Sequence, residues 1–282
     1  MTLDQFCRQS RKRLDPIYGP GEAAMLLRII FEHLKGWTQT DMIMRGSDEV
    51  SDFIAGKADA IIGRLLAHEP IQYIIGEARW YGMKFSVDRS TLIPRPETEQ
   101  LVDLIVADAS DATDLRVLDL CTGSGCIAIA LARNLRFATV EAVDISAEAL
   151  DVARRNADSL RAKVDFRHAD VLAVKPDPDS FDIIVSNPPY IAEHERASMS
   201  ANVLDYEPHT ALFVPDSDPL RFYTAIDRYA ITALKSGGSL YFELNPLYAE
   251  RLRTEMEADG WLDVELRPDF RKVIRFLKAR HP

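Results

Sequence analysis

The stretch RVLDLCTGSGCIAIALAR, residues 116–133, decides the fold. Arg116–Leu120 is a short apolar run with the composition of a strand, and Cys126–Arg133 has the composition of a helix. The residues that join these runs are Cys121, Thr122, Gly123, Ser124 and Gly125. Because these residues are small, the chain can turn sharply there and a ligand can approach the backbone. A strand, a tight loop and a helix in this order are typical of a nucleotide-binding α/β sheet.

Downstream of Leu115, short β-rich runs alternate with helical stretches, and this alternation indicates a doubly wound α/β sheet. Five strands are predicted at Arg116–Leu120, Val140–Asp144, Val164–Arg167, Phe181–Ser186 and Ser239–Leu244. Two more are predicted near Leu262–Leu266 and Val273–Leu277. The expected fold class is therefore α/β, and a ligand is expected at the carboxyl ends of the strands.

The chain upstream of the sheet has a different pattern. In residues 1–74 the apolar residues recur at helical spacing, which predicts a small all-helical domain. Residues 75–96 predict a β-hairpin followed by a connector, because Pro94 and Pro96 block regular structure. The hairpin is indicated by Trp80, Tyr81, Met83, Phe85 and Val87. Residues 97–282 are expected to form the α/β domain.

Composition and charge narrow the possible partners. Asp and Glu number 44 against 34 Lys and Arg, and the resulting charge of −10 disfavours direct binding to nucleic acid. Cys7, Cys121 and Cys126 lack the paired spacing of a disulfide framework or a zinc site, which fits a reducing cytosol. No apolar run approaches ~18 residues, and the N-terminus has no targeting pattern. We expect a cytoplasmic protein without a membrane or nucleic-acid partner.

An acidic residue follows the glycine loop at the spacing found in nucleoside-binding folds. Asp144 ends the second strand of the sheet, 21 residues after Gly123. In such folds this carboxylate receives the two ribose hydroxyls. The pattern Gly123-x-Gly125-x-x-Ala128 also satisfies the fingerprint for NAD. The loop is therefore compatible with a hydride carrier and with S-adenosylmethionine.

The segment Asn187-Pro188-Pro189-Tyr190 separates these two possibilities. It directly follows the strand Phe181–Ser186, at the edge where an open α/β sheet forms its ligand crevice. Each proline fixes its own φ angle and restricts the residue before it, so Asn187 and Pro188 are held rigid. The Asn187 side-chain oxygen and the Pro188 carbonyl can accept both hydrogens of one planar –NH2 group, and Tyr190 offers an aromatic face.

The two acceptors and the aromatic face of Asn187–Tyr190 form what we call the substrate grip. Such an arrangement favours methyl transfer from S-adenosylmethionine to a planar amide or amine nitrogen. An NAD-dependent dehydrogenase would leave the Asn187 segment unexplained, and a non-catalytic module with the cofactor as a structural ligand is a further alternative. Because His168, His194 and His209 share no ligand spacing, no metal site is expected. Val171 follows the third strand, where it could pack against an adenine ring.

The chain also resembles the release-factor glutamine methyltransferases, the PrmC or HemK family, over most of its length. The matching segments are Pro70–Gly76, Thr91–Glu99, Leu118–Ala132, Asn187–Tyr190, Tyr206–Pro208 and Ala211-Leu212. The tetrapeptide at Asn187 also occurs in adenine-specific DNA methyltransferases, whereas the combination of segments is far more specific.

The resemblance implies a Rossmann-like, seven-stranded class I methyltransferase domain and a helical N-terminal domain that recognises a protein substrate. It implies S-adenosylmethionine as the cofactor and peptide chain release factors as partners. The methylated atom would be the side-chain amide nitrogen of the glutamine in their Gly-Gly-Gln motif. A glutamine methyltransferase of a ribosomal protein is the nearest alternative, and an adenine-specific DNA methyltransferase is less favoured by the charge.

Residue by residue, the resemblance assigns the cofactor loop to Cys121–Gly125, the ribose-binding acid to Asp144 and the adenine neighbour to Val171. The implied catalytic residues are Asn187, Pro188 and Tyr190; Pro189 completes the substrate grip, and Asn187 also borders the cofactor. Two departures from the family pattern stand out. Cys121 occupies the position of the usual first glycine, and Asn245-Pro246 replaces a Gly-x-x-Gln, so no function is assigned to that stretch.

Overall fold

The computed structural model describes residues 1–282, which form two compact units. The first contains Met1–Gly76 and Ser200–Tyr206, and the second contains Glu77–Met199 and Glu207–Pro282. The first unit is helical, and the second is built on a β-sheet. None of the helices combines the length and the apolar character needed to cross a membrane.

The helical unit is organised around a long helical segment, α1, which is kinked at Gly19, where φ is 73° and ψ is 161°. Its elements are α1 (Leu3–Lys35), α2 (Gln39–Met44), α3 (Asp52–Leu66), α4 (Ile71–Ile75) and the later short helix Ala201–Tyr206, which is α8 in chain order. α1 begins at a capping box formed by Thr2 and Gln5 and ends at Gly36, whose φ of 68° closes the last turn. α1 and α3 share a core that includes Leu14, Ile30, Phe31, Ile62 and Leu65.

The α/β unit begins with a hairpin and continues with alternating strands and helices. In chain order its elements are β1 (Glu77–Trp80), β2 (Met83–Ser86), α5 (Pro96–Asp108), β3 (Arg116–Leu120), α6 (Cys126–Asn134), β4 (Thr139–Asp144), α7 (Ala147–Leu160), β5 (Val164–His168), β6 (Phe181–Ser186), β7 (Ile191–Ala192), β8 (Phe213–Val214), α9 (Arg221–Ala233), β9 (Leu234–Glu243), α10 (Ala249–Ala258), β10 (Leu262–Pro268) and β11 (Ile274–Arg280).

Seven of these strands form one sheet in the order β10-β11-β9-β6-β3-β4-β5. The strands from β9 to β5 run parallel, and β11 and β10 add an antiparallel edge. Strands β3 and β6 are almost wholly buried because α5 and α6 contribute to one core of the sheet and α9 to the other. The chain order reverses at β3, which lies between β4 and β6, so a ligand crevice is expected beyond their carboxyl ends.

The predicted α/β class and the seven-stranded sheet are confirmed. The strand predicted at Ser239–Leu244 is longer than expected, because Leu234 already pairs with Phe181 before a bulge. Gly238 permits this close passage: a Cβ there would lie 3.1 Å from the carbonyl oxygen of Asp182. The bulge is a contact between distant segments, so the apolar pattern of β9 alone does not indicate it.

The hairpin belongs to the core of the α/β unit. β1 and β2 pair antiparallel through a turn at Tyr81 and Gly82, whose φ angles are 49° and 67°. Trp80 and Phe85 pack into the same core as Leu101 of α5. The sequence analysis predicts a β-hairpin followed by a connector at residues 75–96, and residues from Glu77 onward are grouped with this unit. No sequence pattern indicated that Ser200–Tyr206 is grouped with the helical unit.

Candidate active site

A cavity of about 320 Å³ lies at the carboxyl ends of β3, β4, β5 and β6. A cavity of this size suits a small-molecule ligand. Its wall contains eight of the residues predicted for the site, namely Cys121, Thr122, Gly123, Ser124, Asp144, Val171, Asn187 and Pro189. The other three, Gly125, Pro188 and Tyr190, do not line it.

The loop after β3 owes its shape to three residues with left-handed backbone conformation. The φ angle is 64° at Cys121, 55° at Gly123 and 80° at Gly125. The Gly125 N–H donates to the Thr122 carbonyl at 2.9 Å, which closes the turn before α6. A Cβ at Gly125 would lie 3.0 Å from the Cβ of Ala153, so glycine is what lets α7 approach. Gly125 therefore shapes the loop from behind the cavity wall.

Cys121, which begins the loop, and Cys126, which begins α6, are packing residues. Cys121 holds the positive φ that a glycine adopts without strain, so the loop keeps the backbone conformation expected of the family pattern although the residue is cysteine. Burial raises the pKa of the Cys121 thiol and raises that of Cys126 to about 12. Both thiols keep their protons at neutral pH, so neither is poised as a nucleophile.

Asp144 ends β4 with both carboxylate oxygens fixed by the backbone. Oδ2 accepts a hydrogen bond from the Gly123 N–H at 2.8 Å, and Oδ1 accepts one from the Ser146 N–H at 2.9 Å. Each oxygen retains a second lone pair that a ligand hydroxyl can use. Burial raises the pKa of Asp144 above its ordinary value, and the backbone hydrogen bonds oppose this rise.

Asp119 supports the loop from within the core, a role that the sequence analysis missed. It lies fully buried in β3, where its Oδ2 accepts hydrogen bonds from Thr122 Oγ1 at 2.6 Å and from the Ala128 N–H at 3.2 Å. These bonds tie the loop to the first turn of α6. Its Oδ1 is buried and has no hydrogen-bond partner. Burial raises the pKa of Asp119 to about 7. The available signal was a carboxylate between two apolar residues of a strand, Leu118 and Leu120.

The segment after β6 presents an amide at the cavity. Asn187 is partly exposed, whereas Pro188 and Pro189 are buried. The Asn187 side chain makes no hydrogen bond to another residue, so its oxygen and nitrogen are available to a ligand. Tyr190 Oη donates to Glu243 Oε1 at 3.1 Å. Burial raises the pKa of the Tyr190 phenol, which therefore keeps its proton.

Two segments that carry the family resemblance meet at one buried carboxylate. The Glu207 side chain, 1% exposed, accepts hydrogen bonds from the Arg95 guanidinium at 2.6 Å and from the Ile93 N–H at 3.1 Å. Arg95 and Thr98 line the cavity. The ion pair therefore fixes one side of the cavity wall to a residue far along the chain.

Some residues of the cavity wall were not indicated by any pattern in the sequence. Phe213, Arg221 and Phe222 come from β8 and the start of α9 and line the same cavity. None of the three histidines considered as ligands lines it. His168 lies 2.7 Å from the Ile145 carbonyl oxygen through its ring nitrogen, and His194 pairs with Asp216 at 2.7 Å.

Comparison with known proteins agrees with this geometry. Residues 5–76 match the PrmC N-terminal domain, and residues 97–206 match the methyltransferase small domain. A crystal structure of a methyltransferase from Pyrococcus furiosus has a TM-score of 0.52 at 17% identity, covering 77% of this chain and 96% of that chain. At this level of identity the likeness concerns the fold alone.

Two relatives match the chain nearly from end to end. It is 46% identical to the release factor glutamine methyltransferase of Bacteroides thetaiotaomicron, over 98% of this chain and 99% of that protein. It is 36% identical to the protein of the same name from Flavobacterium psychrophilum, over 99% of each. With similarity of this extent in both units, the chain belongs to the release factor glutamine methyltransferase family.

Proposed function

We propose that the protein transfers the methyl group of S-adenosylmethionine to the side-chain amide nitrogen of the glutamine in the Gly-Gly-Gln motif of peptide chain release factors. The observation that carries this proposal is the unpaired Asn187 side chain, which lines the same cavity as Asp144 and the glycine loop. The names of the end-to-end relatives support the choice of substrate.

The cavity suits S-adenosylmethionine in its donor set and charge. Asp144 would hold the ribose hydroxyls, the loop around Gly123 would lie beside the methionine part, and Val171 would pack against the adenine ring. Asp144 flanks the loop; burial raises the pKa of the nearby Cys121 thiol most, and the charge of Asp144 raises it further. A negative charge at this place favours a ligand with positive charge. When bound, the cofactor supplies an electrophilic methyl group on a sulfonium sulfur.

The residues from Asn187 to Tyr190 hold the substrate amide. An amide nitrogen is a poor nucleophile because its lone pair is delocalised into the carbonyl group. Asn187 Oδ1 and the Pro188 carbonyl each accept a hydrogen bond from one N–H of the substrate amide. The Tyr190 ring covers the plane of that amide. Holding a reactant in a near-attack geometry contributes about 7–11 kcal/mol toward lowering a barrier. Most of the rate enhancement is therefore assigned to orientation.

A strong base is not needed before transfer. The methylated nitrogen carries an acidic extra proton, which leaves to solvent or to a nearby acceptor after the new bond has formed. The side chains of the grip are a neutral amide, two prolines and a protonated phenol. This composition fits a step governed by position.

We assign recognition of the protein substrate to the helical unit. All residues that line the cavity lie between Ser90 and Phe222 and belong to the α/β unit. The helical unit therefore has no share in the cavity wall. Its match to the PrmC N-terminal domain supports a role specific to this family.

Mass spectrometry of a release factor incubated with the protein and S-adenosylmethionine tests the proposal. We expect one methyl group on the glutamine of the Gly-Gly-Gln peptide. Methylation of a ribosomal-protein glutamine without modification of the release factor would favour the alternative, a glutamine methyltransferase of a ribosomal protein. Methylated adenine in a DNA oligonucleotide would favour a DNA enzyme. Binding of labelled cofactor with no turnover on any of these would indicate a non-catalytic module.

A further inference from the structure

The carboxyl end of β9 contains two buried polar residues that the sequence analysis left without a function. Glu243 is the last residue of β9 and is 2% exposed, and Asn245 follows two residues later at 3% exposure. Neither residue lines the cavity. Both are hydrogen-bonded to Tyr190, the final residue of the segment proposed to grip the substrate.

Glu243 holds the side chain of Tyr190. Its Oε1 accepts the hydrogen bond from Tyr190 Oη at 3.1 Å, and its Oε2 accepts one from Thr98 Oγ1 at 2.6 Å. Both oxygens thus accept from donors; burial raises the pKa of Glu243, and the hydrogen bonds from Thr98 and Tyr190 oppose this rise by favouring the ionised carboxylate. Thr98 lines the cavity, so the carboxylate links two parts of the site.

Asn245 holds the main chain of the same residue. Its Nδ2 donates to the Tyr190 carbonyl at 3.1 Å and to Glu195 Oε1 at 2.8 Å, while its Oδ1 accepts from the Leu247 N–H at 3.0 Å. Glu195 Oε1 also accepts the Ala192 N–H at 2.8 Å. The amide is used at every position, and an aspartate could not replace its two donated bonds.

We propose that Glu243 and Asn245 are positioning residues for methyl transfer: together they fix Tyr190 by its hydroxyl and its carbonyl and thereby orient the Asn187–Tyr190 grip. Pro188 and Pro189 have fixed φ angles and restrict the residues before them. Because the segment between Tyr190 and Asn187 is therefore rigid, fixing Tyr190 also restricts the orientation of Asn187. The inference rests on the proposed function only for its catalytic consequence. The anchoring itself is a property of the free protein.

Three variants separate the two anchors. Tyr190→Phe removes only the hydroxyl, Glu243→Gln removes the charge at nearly constant shape, and Asn245→Asp removes both donated hydrogen bonds at constant shape. Asp227→Asn is the matched control: Asp227 is a carboxylate of similar burial, 3% exposed, bonded to Trp261 Nε1 and not to the grip. Calorimetry with S-adenosylhomocysteine checks that each variant retains the cofactor site.

Amide hydrogen exchange of the free protein gives a readout that needs no substrate. We expect faster exchange in peptides covering residues 190–195 for Tyr190→Phe, Glu243→Gln and Asn245→Asp, and unchanged exchange there for Asp227→Asn. Single-turnover methylation should slow about tenfold to a hundredfold, the effect of one hydrogen bond to a charged group, with little change in cofactor Kd. The rate losses of Tyr190→Phe and Glu243→Gln should not be additive, because both changes act on the same Tyr190–Glu243 hydrogen bond.

Unchanged exchange in residues 190–195, or additive rate losses for Tyr190→Phe and Glu243→Gln, would overturn the inference. So would a rate loss in Asp227→Asn equal to that in Glu243→Gln, since any buried charge would then have the same effect. If the wild-type protein methylates no release factor while the exchange differences appear, the proposed substrate fails and the anchoring stands. If Glu243→Gln does not fold, the smaller Tyr190→Phe change still decides by exchange and rate.

Discussion

Replacing Asp144 with asparagine should weaken cofactor binding while the α/β unit stays folded. The change keeps the shape of the side chain and converts one carboxylate oxygen into an –NH2 group. That group must face either the Gly123 N–H or the Ser146 N–H, which now donate to the carboxylate at 2.8 and 2.9 Å. One of the two backbone bonds is therefore lost, and the ribose loses one charged acceptor.

The structure sets the size of this effect. A hydrogen bond to a charged group contributes about 1.5–3 kcal/mol, so Kd should rise about tenfold to a hundredfold. Burial raises the pKa of Asp144 above its ordinary value, so wild-type affinity should be full above that raised pKa and fall as the pH is lowered through it. Protonation of the Asp144 carboxylate removes an acceptor for the ribose hydroxyls. The asparagine variant should lack this pH dependence.

Isothermal titration with S-adenosylhomocysteine measures both effects. Asp182→Asn is a matched control, because Asp182 also accepts a backbone N–H, from Arg116 at 2.8 Å, but lies near the amino end of β6. A wild-type Kd in Asp144→Asn, or an equal loss in Asp182→Asn, would refute the role of Asp144. Tight binding of NAD without binding of S-adenosylhomocysteine would refute the choice of cofactor.

Three further changes probe other parts of the molecule. Deleting residues 1–76 should leave S-adenosylhomocysteine binding intact by calorimetry but abolish rapid methylation of whole release factor; full activity of the truncated chain would exclude a docking role. Gly125→Ala should lower stability by roughly 1–3 kcal/mol in urea unfolding, because a positive φ of 80° and a Cβ 3.0 Å from that of Ala153 both oppose the side chain; an unchanged midpoint would contradict this. Glu207→Gln should lower the free energy of unfolding by about 1–3 kcal/mol. This is less than for a fully buried ion pair, because the Arg95 side chain is 32% exposed. An unchanged free energy of unfolding would show that the ion pair is dispensable.

The fold could be predicted because its signals are local. Apolar runs alternating with helical stretches indicate the parallel sheet, and small residues between Leu120 and Cys126 indicate the loop. The start of β9 was missed because its first pair, Leu234 with Phe181, precedes a bulge and depends on Gly238. Local periodicity carries no information about such a contact.

The cavity wall was predicted in part for the same reason. Residues that follow strands, such as Asp144 and Asn187, are indicated by their position at the carboxyl edge of the sheet. Glu207 and Glu243 were not, because they meet Ile93 and Thr98 across separations of 114 and 145 residues. The family resemblance includes the segment Tyr206–Pro208, but only the structure shows that the Glu207 carboxylate pairs with Arg95 and Ile93.

Single-turnover methyl transfer by Asn187 variants tests the central claim most directly. Asn187→Ala removes one acceptor of the substrate amide, and loss of such a transition-state contact typically lowers the rate by about 10²–10³. Asn187→Asp keeps an acceptor but adds a negative charge beside the sulfonium, which stabilises the reactant cation more than the transition state. Both variants should bind S-adenosylmethionine and transfer its methyl group slowly to a release factor. Transfer by either variant at close to the wild-type rate would contradict the proposed grip.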